Sequence, residues 1–539
     1  MKNLKHLFLS LVVAGLLLGC GATGAIISTP IENIDSSPLK VSALSENEKQ
    51  NWGHKDLVKD TIPGMSVEKT YAELIKNRKG NKVIVAVIDS GIDIDHEDLR
   101  GVIWTNKKEI PNNGKDDDGN GYVDDIHGWN FLGDAYNEQL EFVRLLASGD
   151  TSDPRYAEAE KEYEEEYNKY TGYKTQYDQI ALQVSSADET LKAHFKKDDY
   201  TKEEVNAIKT EDQALMQAVG LAKYVYGLDM ASLSAFKKEL NDGLTQINER
   251  LNYNLNKDFR GRTTGDDIND ITDTNYGNGN VKPIKKAESH GTHVSGIIAA
   301  VRNNNLGANG VANNVEIMAI RAVPNGDEYD KDIALAIRYA VDNGAKIINA
   351  SFGKSYSPHS DWVMDALKYA GDNDVLFVHA AGNDGKDLDS NHNFPNDAIN
   401  NGPEITNTVI TVGSLSSKYG SNLVSGFSNY GKINVDIFAP GDQIYSTMPE
   451  NEYEFQGGTS MAAPGVAGIA ALIRSYYPSL SAAQVKEAIL QSGLALNTKV
   501  VVGGETSDVR PFADLSKTGK MASAYNAFIL ASQMANSSN

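Results

Sequence analysis

Short, unbroken runs of apolar residues recur along most of this chain. The first, at residues 83–88, has strand length and no polar interruption, which is typical of a strand buried on both faces of a parallel sheet. Similar runs follow at residues 315–320, 346–350, 375–378 and 409–412. Helical patterns separate them, as at residues 332–343, where Ile333, Ile337 and Ala340 share one face. This alternation predicts an α/β fold with a mostly parallel sheet covered by helices on both sides.

Residues 136–260 lack this alternation and have helical spacings instead. Apolar side chains recur every seven residues, which is typical of a coiled-coil-like stripe, at Tyr156, Tyr163, Tyr170, Tyr177 and Val184. A capping box is predicted at Thr201 and Glu204, and a third stripe follows at 233–251. We predict an inserted helical subdomain of two to four antiparallel helices. An inert decoration, substrate selection, partner docking and gating of a cleft all remain open as its role.

The first twenty residues have the pattern of an export signal, with two early lysines before an apolar run at 7–18 that is too short to span a membrane. The chain has one cysteine, Cys20, placed as in the bacterial lipobox, where the thiol is acylated and the chain is cut before it. We therefore predict an exported bacterial lipoprotein of the cell envelope, on its periplasmic face or on the cell surface, anchored through Cys20. Residues 21–50 would be a tether. An ordinary signal peptide with an incidental cysteine is the alternative.

Charge narrows the classes of partner. The formal net charge of −22 would repel the phosphates of nucleic acid, so a nucleic-acid partner is not expected. The same charge argues against electrostatic attachment to anionic membranes and leaves the lipid as the anchor. With one cysteine, the chain has no internal disulfide, and its stability must come from its core and from bound ions.

The most distinctive motif is Gly458-Thr459-Ser460-Met461-Ala462-Ala463-Pro464, which opens a run of small and apolar residues. A serine there lies where a glycine turn meets the start of a helix, beside unpaired N–H groups and positive potential. That position suits a nucleophile whose reaction passes through an oxyanion. A simple glycine–serine turn before a buried helix is the alternative for the bare Gly-Thr-Ser sequence.

Two further motifs supply possible partners for Ser460. Asp89 follows the first apolar run, which places a carboxylate at the carboxyl end of a strand, where sites form in open α/β sheets. His290, in Ser289-His290-Gly291-Thr292-His293, again follows a polar turn and opens an apolar helix. A helix or turn cap is the alternative for Asp89. A zinc site is the alternative for His290 and His293, although no glutamate lies between them and no third ligand motif follows.

The order Asp89, His290, Ser460 and the sequences around them resemble the subtilisin-like serine peptidases, the subtilases. The resemblance covers about residues 51–134 and 262–530. It implies a subtilisin-like three-layer fold for a peptidase domain at 51–539, interrupted by the insertion. It also implies that Ser460 is the nucleophile, His290 the general base and Asp89 the residue that orients it. The segment Ala380-Ala381-Gly382-Asn383 resembles the one carrying the oxyanion-hole asparagine, so Asn383 takes that role.

The same resemblance makes Ser351, Phe352 and Gly353 the strand that pairs with the substrate backbone. The implied function is a serine endopeptidase acting on proteins or peptides, with no cofactor for catalysis. A catalytically latent or inactive lipoprotein used for binding or adhesion is one alternative, and a narrow-specificity processing protease is the other. His379 departs from the family pattern just before the Asn383 segment, and the sequence does not say whether it touches the site.

An acidic stretch at residues 116–125 predicts a cation site. Its potential ligands follow the start of an EF-hand-type loop and are Asp116, Asp118, Asn120 and, at the ninth place, Asp124. His127 stands where the loop would have its bidentate glutamate, so a complete EF-hand is not expected. Carboxylates this close repel one another unless a cation or a helix end neutralises them. The sequence favours a structural calcium, and a solvated acidic turn is the alternative.

Overall fold

The computed structural model describes residues 26 and 28–537. Its strands, in chain order, are β1 (Val83–Asp89), β2 (Gly128–Asn130), β3 (Val315–Arg321), β4 (Ile347–Ala350), β5 (Leu376–Ala380), β6 (Val409–Leu415), β7 (Ile437–Pro440), β8 (Ile444–Met448), β9 (Glu452–Gln456), β10 (Leu494–Ala495), β11 (Lys499–Val502), β12 (Glu505–Pro511) and β13 (Lys520–Met521). The α-helices are α1 (Glu46–Asn51), α2 (Leu57–Asp60), α3 (Val67–Lys69), α4 (Glu141–Ser148), α5 (Tyr156–Phe195), α6 (Lys202–Ala207), α7 (Gln213–Gly227), α8 (Leu233–Glu249), α9 (His290–Ala299), α10 (Asp330–Asp342), α11 (Ser360–Asp372), α12 (Thr459–Tyr476), α13 (Ala482–Ser492) and α14 (Ala524–Ser537).

Nine strands form the central sheet, in the order β10-β13-β7-β6-β5-β4-β1-β3-β2. All neighbours pair in parallel except β10 and β13, so the predicted α/β class with a mostly parallel sheet is confirmed. Strands β1, β4 and β5 are neighbours at its centre, and β1 pairs with β4 from Val85 opposite Ile347. Because parallel strands end at the same edge, the segments that follow these three strands meet there.

Apolar residues pack on both faces of the sheet and produce three layers. One face carries the larger core cluster, to which α9, α12, α13 and α14 contribute. The other face carries a second cluster with α10 and α11. The small residues of α12 allow close approach, because a Cβ on Gly468 would lie 2.5 Å from Cβ of Val311. This packing explains the run of glycine and alanine behind Ser460.

The insertion contains helices α4 to α8. Tyr177 contacts Gly243 of α8, while Glu166, earlier in α5, pairs with Arg250 just after α8, so α5 and α8 run antiparallel. The predicted seven-residue stripe of α5 packs into two small apolar clusters, one at the base of the insertion and one along α7 and α8. The capping box forms as expected, with Thr201 N donating to Glu204 Oε2 at 2.9 Å.

The described part of the predicted tether lies against the domain. Ile34 is buried in a core cluster, and the N–H of Ile31 donates to Asn526 Oδ1 at 2.8 Å. Among residues 26 and 28–537, no helix combines the length and apolar character needed to cross a bilayer. The predicted signal at 1–20 and the lipidation residue Cys20 lie outside the described residues.

Candidate active site

Asp89 and His290, which are 201 residues apart in sequence, form a hydrogen bond of 2.7 Å between Oδ1 and Nδ1. Asp89 is the last residue of β1 and is 1% exposed, while His290 is the first residue of α9. Burial by itself would lower the pKa of His290. The charge and hydrogen bond of Asp89 outweigh that effect and raise the pKa above its ordinary value. The pair therefore has the geometry of an oriented imidazole, and among the described residues Nε2 of His290 makes no hydrogen bond.

A buried ion pair, not predicted from the sequence, supports the turn before His290. Glu288 Oε1 accepts from Arg321 Nε at 2.6 Å and from the N–H of Gly91 at 3.1 Å. Its Oε2 accepts from the N–H of Ile284 at 2.8 Å. Glu288 thus ties the segment after Asp89 to the segment before His290. Arg321 lies in an apolar run, which was the available signal, but Glu288 lies in a polar segment and its pairing with Arg321 depends on the fold.

Ser460 is the second residue of α12, as expected for a hydroxyl at the start of a helix. Its Oγ donates to the carbonyl oxygen of Ser351 at 3.2 Å, and Ser351 Oγ donates in turn to the carbonyl oxygen of Ser460 at 2.9 Å. Within the described residues, no hydrogen bond joins Ser460 to His290. The structure therefore brings Ser460 to the predicted substrate-binding residues 351–353, which directly follow β4, and its hydroxyl is turned toward them.

Asn383 follows β5 and lies beside the turn that precedes Ser460. Its Oδ1 accepts from the N–H of Thr459 at 2.8 Å and from Thr459 Oγ1 at 3.0 Å. A Cβ built on Gly458 would be 3.4 Å from Asn383 Nδ2 and 3.6 Å from Ser460 N. These two nitrogens therefore lie close to each other at the turn that contains Gly458.

His379 lies beneath the predicted substrate-binding strand. It is buried, and its Nε2 lies 2.8 Å from the carbonyl oxygen of Phe352, to which it donates in the neutral tautomer with hydrogen on Nε2. Burial lowers the pKa of His379 to about 4, so the ring is neutral at ordinary pH. The question that the sequence left open has a structural answer: His379 touches the site through the carbonyl of Phe352 and holds that residue in place.

An open groove of about 300 Å³ lies between the Asp89–His290 pair and the strand segment at residues 351–353. We call it the active-site groove. Its walls include Tyr136 from the start of the insertion, and Asn325 and Glu328 from the loop after β3. The predicted catalytic pair and the predicted substrate-binding residues therefore face one cavity, and the insertion contributes to its rim.

His293, three residues after His290, belongs to the structural core. Its Nε2 lies 3.1 Å and 3.2 Å from the carbonyl oxygens of Ile444 and Glu454, on the two strands of the β8–β9 hairpin. Burial lowers the pKa of His293 to about 3. The ring therefore holds the hairpin that leads into the Ser460 turn, and the described geometry gives no support to a zinc site with His290.

The acidic loop gathers three carboxylates whose oxygens lie within 4.8 Å of one another, those of Glu109, Asp116 and Asp118. Glu109 was not expected from the sequence, because it precedes the motif. Its Oε1 accepts from the N–H groups of Asp117 and Asp118, whereas its Oε2 is buried with no partner among the described residues. The carboxylate of Asp124 lies outside this group and accepts from the N–H groups of Asn113 and Gly114.

The side chain of Asn120, the other predicted ligand, makes hydrogen bonds inside the loop. Its Nδ2 donates to Asp125 Oδ2 at 3.0 Å, and its Oδ1 accepts from the N–H of Tyr122 at 2.8 Å. An all-oxygen donor set with an unpartnered carboxylate oxygen fits a hard cation such as calcium.

Comparison with known proteins agrees with this geometry. A model described as the subtilase family matches residues 80–509. The thermophilic serine proteinase of Bacillus sp. (strain AK1) is 43% identical over 188 residues, which are 35% of this chain and 43% of that protein. Thermitase of Thermoactinomyces vulgaris is 37% identical over 206 residues, 38% of this chain and 67% of thermitase.

Subtilisin DY of Bacillus licheniformis is 37% identical over 215 residues, 40% of this chain and 73% of that protein. The chain spans less than half the length of the strain AK1 proteinase and about two thirds or more of the other two. The family match at 80–509 includes every strand of the central sheet except β13, together with the Asp89–His290 pair, the groove and the Ser460 helix. The chain belongs to the subtilase family.

Proposed function

We propose that this protein is a serine endopeptidase that hydrolyses peptide bonds of proteins through Asp89, His290 and Ser460. The observation that carries the proposal is the 2.7 Å bond between Asp89 and His290 at the edge of a groove that the substrate-binding strand also lines. Family membership supports the same reaction class. A helix or turn cap at Asp89 would not explain its hydrogen bond to His290, and neither would a zinc site at His290 and His293.

In the proposed reaction, Ser460 Oγ attacks the carbonyl carbon of the scissile bond while His290 Nε2 accepts its proton. Asp89 holds Nδ1 and stabilises the imidazolium that forms. The C–N bond then breaks, and His290 returns the proton to the leaving amine. Water hydrolyses the resulting ester by the same proton transfers and regenerates the serine.

This scheme requires Ser460 Oγ to leave the carbonyl of Ser351 and to approach His290. Rotation about the serine Cα–Cβ bond re-aims the hydroxyl at little cost, and catalytic hydrogen bonds often tighten only when substrate is bound. Asn383 Nδ2 and the N–H of Ser460 would then bind the oxyanion. The backbone of residues 351–353 would pair with an extended peptide.

A narrow-specificity processing protease is the second candidate, and the contacts of the insertion favour it. Arg155 Nη1 donates to the carbonyl of Ser355 at 2.5 Å, and Tyr356 OH donates to Glu162 Oε2 at 3.0 Å. The start of α5 therefore rests on the chain just after the substrate-binding strand. Such an insertion would restrict which substrates reach the groove.

The test compares wild-type protein starting after Cys20 with Ser460→Ala. Both are treated with a serine-directed fluorophosphonate probe and with denatured protein as substrate. We expect labelling and cleavage in the wild type alone, with equal melting temperatures. Many internal cuts support an endopeptidase of broad action, and a single cut supports the processing enzyme. Cleavage that survives in Ser460→Ala would refute the assignment, and a folded wild type that neither labels nor cleaves would favour the latent binding protein.

We further propose that calcium binds the carboxylates of Glu109 and the acidic loop and stabilises the fold. The buried, unpartnered Oε2 of Glu109 supports this proposal. Asp116 and Asp118 would complete the donor set. When bound, the ion would offset two of the three clustered negative charges.

We also propose that the protein is exported and anchored through acylated Cys20, as a lipoprotein of the cell envelope. The support is the sequence around Cys20 together with the strongly acidic composition. An enzyme held in this way would act on proteins at or outside the membrane that carries it, and a partner could dock on residues 136–260.

A further inference from the structure

Six charged residues meet where the root of the insertion packs against the loop that follows β3. Four are acidic and two are basic: Glu141, Asp327, Glu328 and Asp330, with Arg144 and Lys354. Here the root of the insertion is defined as α4 together with the first turns of α5. Counted with every group ionised, the cluster has two more negative than positive charges. Removing such an excess from water is costly unless a further cation neutralises it.

Both cations of the cluster already have partners. Lys354 Nζ lies 2.7 Å from Glu141 Oε2 and 2.9 Å from Asp330 Oδ1. Arg144 Nη2 lies 2.5 Å from the same oxygen of Glu141. These contacts, which outweigh a large burial effect, lower the pKa of Glu141 to about 2. Glu141 and Asp330 are therefore the carboxylates that have a cationic partner, and the excess charge belongs to Asp327 and Glu328 of the loop after β3.

Among the described residues, Asp327 and Glu328 remain without a countercharge, and of these two Glu328 is the one that lines the active-site groove. It is 3% exposed, and among the described residues no cation lies within ion-pair distance of its carboxyl oxygens. Lys354 and Arg144 instead bind the backbone carbonyl of Glu328, at 2.8 Å and 3.2 Å. Burial raises the pKa of Glu328 to about 8, with Lys354 opposing this effect and Asp327 adding to it.

Glu328 also borders the place where substrate would lie. It lines the active-site groove together with His290 and residues 351–353. It also lines a small adjoining cavity beside Phe352 and Lys354. A side chain that extends from a peptide paired with residues 351–353 would meet this carboxyl group at the wall of the groove.

We propose that Glu328 makes the active-site groove a subsite for a cationic side chain, so that preferred substrates carry arginine or lysine on the amino side of the scissile bond. This inference rests on the proposed peptidase function. We expect the amino side because the part of the substrate on that side of the cleaved bond stays bonded to Ser460 in the ester. Ser460 Oγ lies at the carbonyl of Ser351, and residues 351–353 line the groove together with Glu328. A guanidinium would supply the missing charge and donate charge-assisted hydrogen bonds.

The test uses peptide pairs that differ only by arginine or citrulline, which has the same shape without the charge, at each of the four positions before the scissile bond. Wild-type protein and Glu328→Gln are compared at about pH 9, above the pKa of Glu328, where arginine stays charged. We expect the wild type to favour arginine at one position by on the order of 10- to 100-fold in kcat/KM. Glu328→Gln should lose this preference and still react with the fluorophosphonate probe.

Glu249→Gln is the matched control. Glu249 accepts from Asn325 Nδ2 at 3.1 Å and so lies near the groove, but it does not line it. This variant should keep the arginine preference. If it lost the preference as fully as Glu328→Gln, the general negative field would be responsible and the assignment to Glu328 would be wrong.

Binding to Ser460→Ala separates this inference from the proposed function, because it needs no turnover. The arginine peptide should bind Ser460→Ala more tightly than the citrulline peptide, and the difference should vanish in Ser460→Ala with Glu328→Gln. A wild type that cleaves and labels but shows no arginine preference at any position would overturn the subsite and leave the peptidase standing. If the wild type were inactive but Ser460→Ala still bound the arginine peptide more tightly than the citrulline peptide, the proposed peptidase function would be wrong and the subsite would stand.

Discussion

Asn383 uses the two atoms of its side-chain amide for different purposes. The oxygen accepts from the N–H and hydroxyl of Thr459, which steadies the start of α12. The nitrogen lies close to the N–H of Ser460 at the turn that contains Gly458. Stability and rate therefore depend on different atoms of one residue, and substitutions can separate them.

Asn383→Asp should fold like the wild type, because it keeps the oxygen acceptor, yet lose about 10²–10³ in kcat, because it loses the oxyanion donor. Asn383→Ala loses both atoms and should also lose about 1 kcal/mol of unfolding free energy. Chemical denaturation and steady-state kinetics measure the two effects. A rate for Asn383→Asp within a few-fold of the wild type would remove Asn383 from the oxyanion hole.

The pH profile reports on the Asp89–His290 pair. Only the neutral imidazole can accept the proton of Ser460, so kcat/KM should fall as pH drops through the pKa of His290. Asp89 raises that pKa, which places the fall at a higher pH than for an isolated histidine. Asp89→Asn removes the charge, and the midpoint should move to lower pH while kcat falls by about 10⁴.

His359→Gln is the control for this profile. The ring of His359 stacks on Trp362, away from the Asp89–His290 pair, so its loss should leave the midpoint unchanged. An unchanged midpoint in Asp89→Asn would instead show that another group sets the acid limb.

At the scale of elements, the insertion is joined to the peptidase core through a buried ion pair. Lys354 directly follows residues 351–353, the proposed substrate-binding segment, and pairs with Glu141 at the start of α4, and both side chains are less than 10% exposed. Removing one partner of a buried pair leaves the other charge without compensation. Contact between the two elements therefore affects both stability and the position of the strand.

Lys354→Met should cost about 3–5 kcal/mol of unfolding free energy and raise KM, because the strand at 351–353 loses its anchor on the insertion. Lys174→Met is the matched control. Lys174 pairs with Asp178 at 2.6 Å on the exposed side of α5, and its loss should cost less than about 0.5 kcal/mol. Equal effects of the two substitutions would contradict a structural coupling through Lys354.

The acidic loop gives a second prediction at this scale. EDTA should lower the melting temperature and calcium should restore it, with about 2.7 kcal/mol of stabilisation at a calcium concentration 100 times the Kd. Asp118→Asn should abolish the response. Asp124→Asn should keep it if the ion binds Glu109, Asp116 and Asp118, and should lose it if the ninth loop position is a ligand. If neither EDTA nor calcium changed the melting temperature of the wild type, the acidic loop would be a solvated turn without a bound ion.

At the scale of the whole molecule, the proposed attachment and the proposed catalysis belong to different parts of the chain. The proposed anchor is Cys20, and the described chain after it already packs on the domain at Ile26, whose N–H donates to Ser532 Oγ at 2.9 Å. The acylated residue would therefore be only a few residues from the folded surface. Such a short connection would hold the peptidase close to its membrane.

In a bacterial host, full-length wild type should fractionate with membranes and incorporate labelled palmitate. Cys20→Ala should do neither and should keep its activity in the soluble fraction. The Ser460→Ala protein is the control, since it should remain lipidated. Incorporation of label into Cys20→Ala, or equal fractionation of the two proteins, would contradict the anchor.

Local patterns identified many of the elements because they report burial directly. The runs at 83–88 and 315–320 are apolar at every or almost every position, since both faces of their strands are covered. The small residues after Ser460 likewise predicted close packing of α12. Glu109, Glu288 and Glu328 gave no such signal, because a lone acidic residue in a sequence looks the same whether it is solvated or buried against a distant partner.

The sequence by itself determined the fold class, the subtilase motifs and the identity of the residues proposed for catalysis, because these depend on local order and residue type. Only the tertiary structure decided which charges meet. It paired Glu288 with Arg321, placed His379 beneath Phe352, and left Glu328 at the groove without a cation. Electrostatic interactions depend on distance and burial, and both are set by how the sheet and the insertion pack.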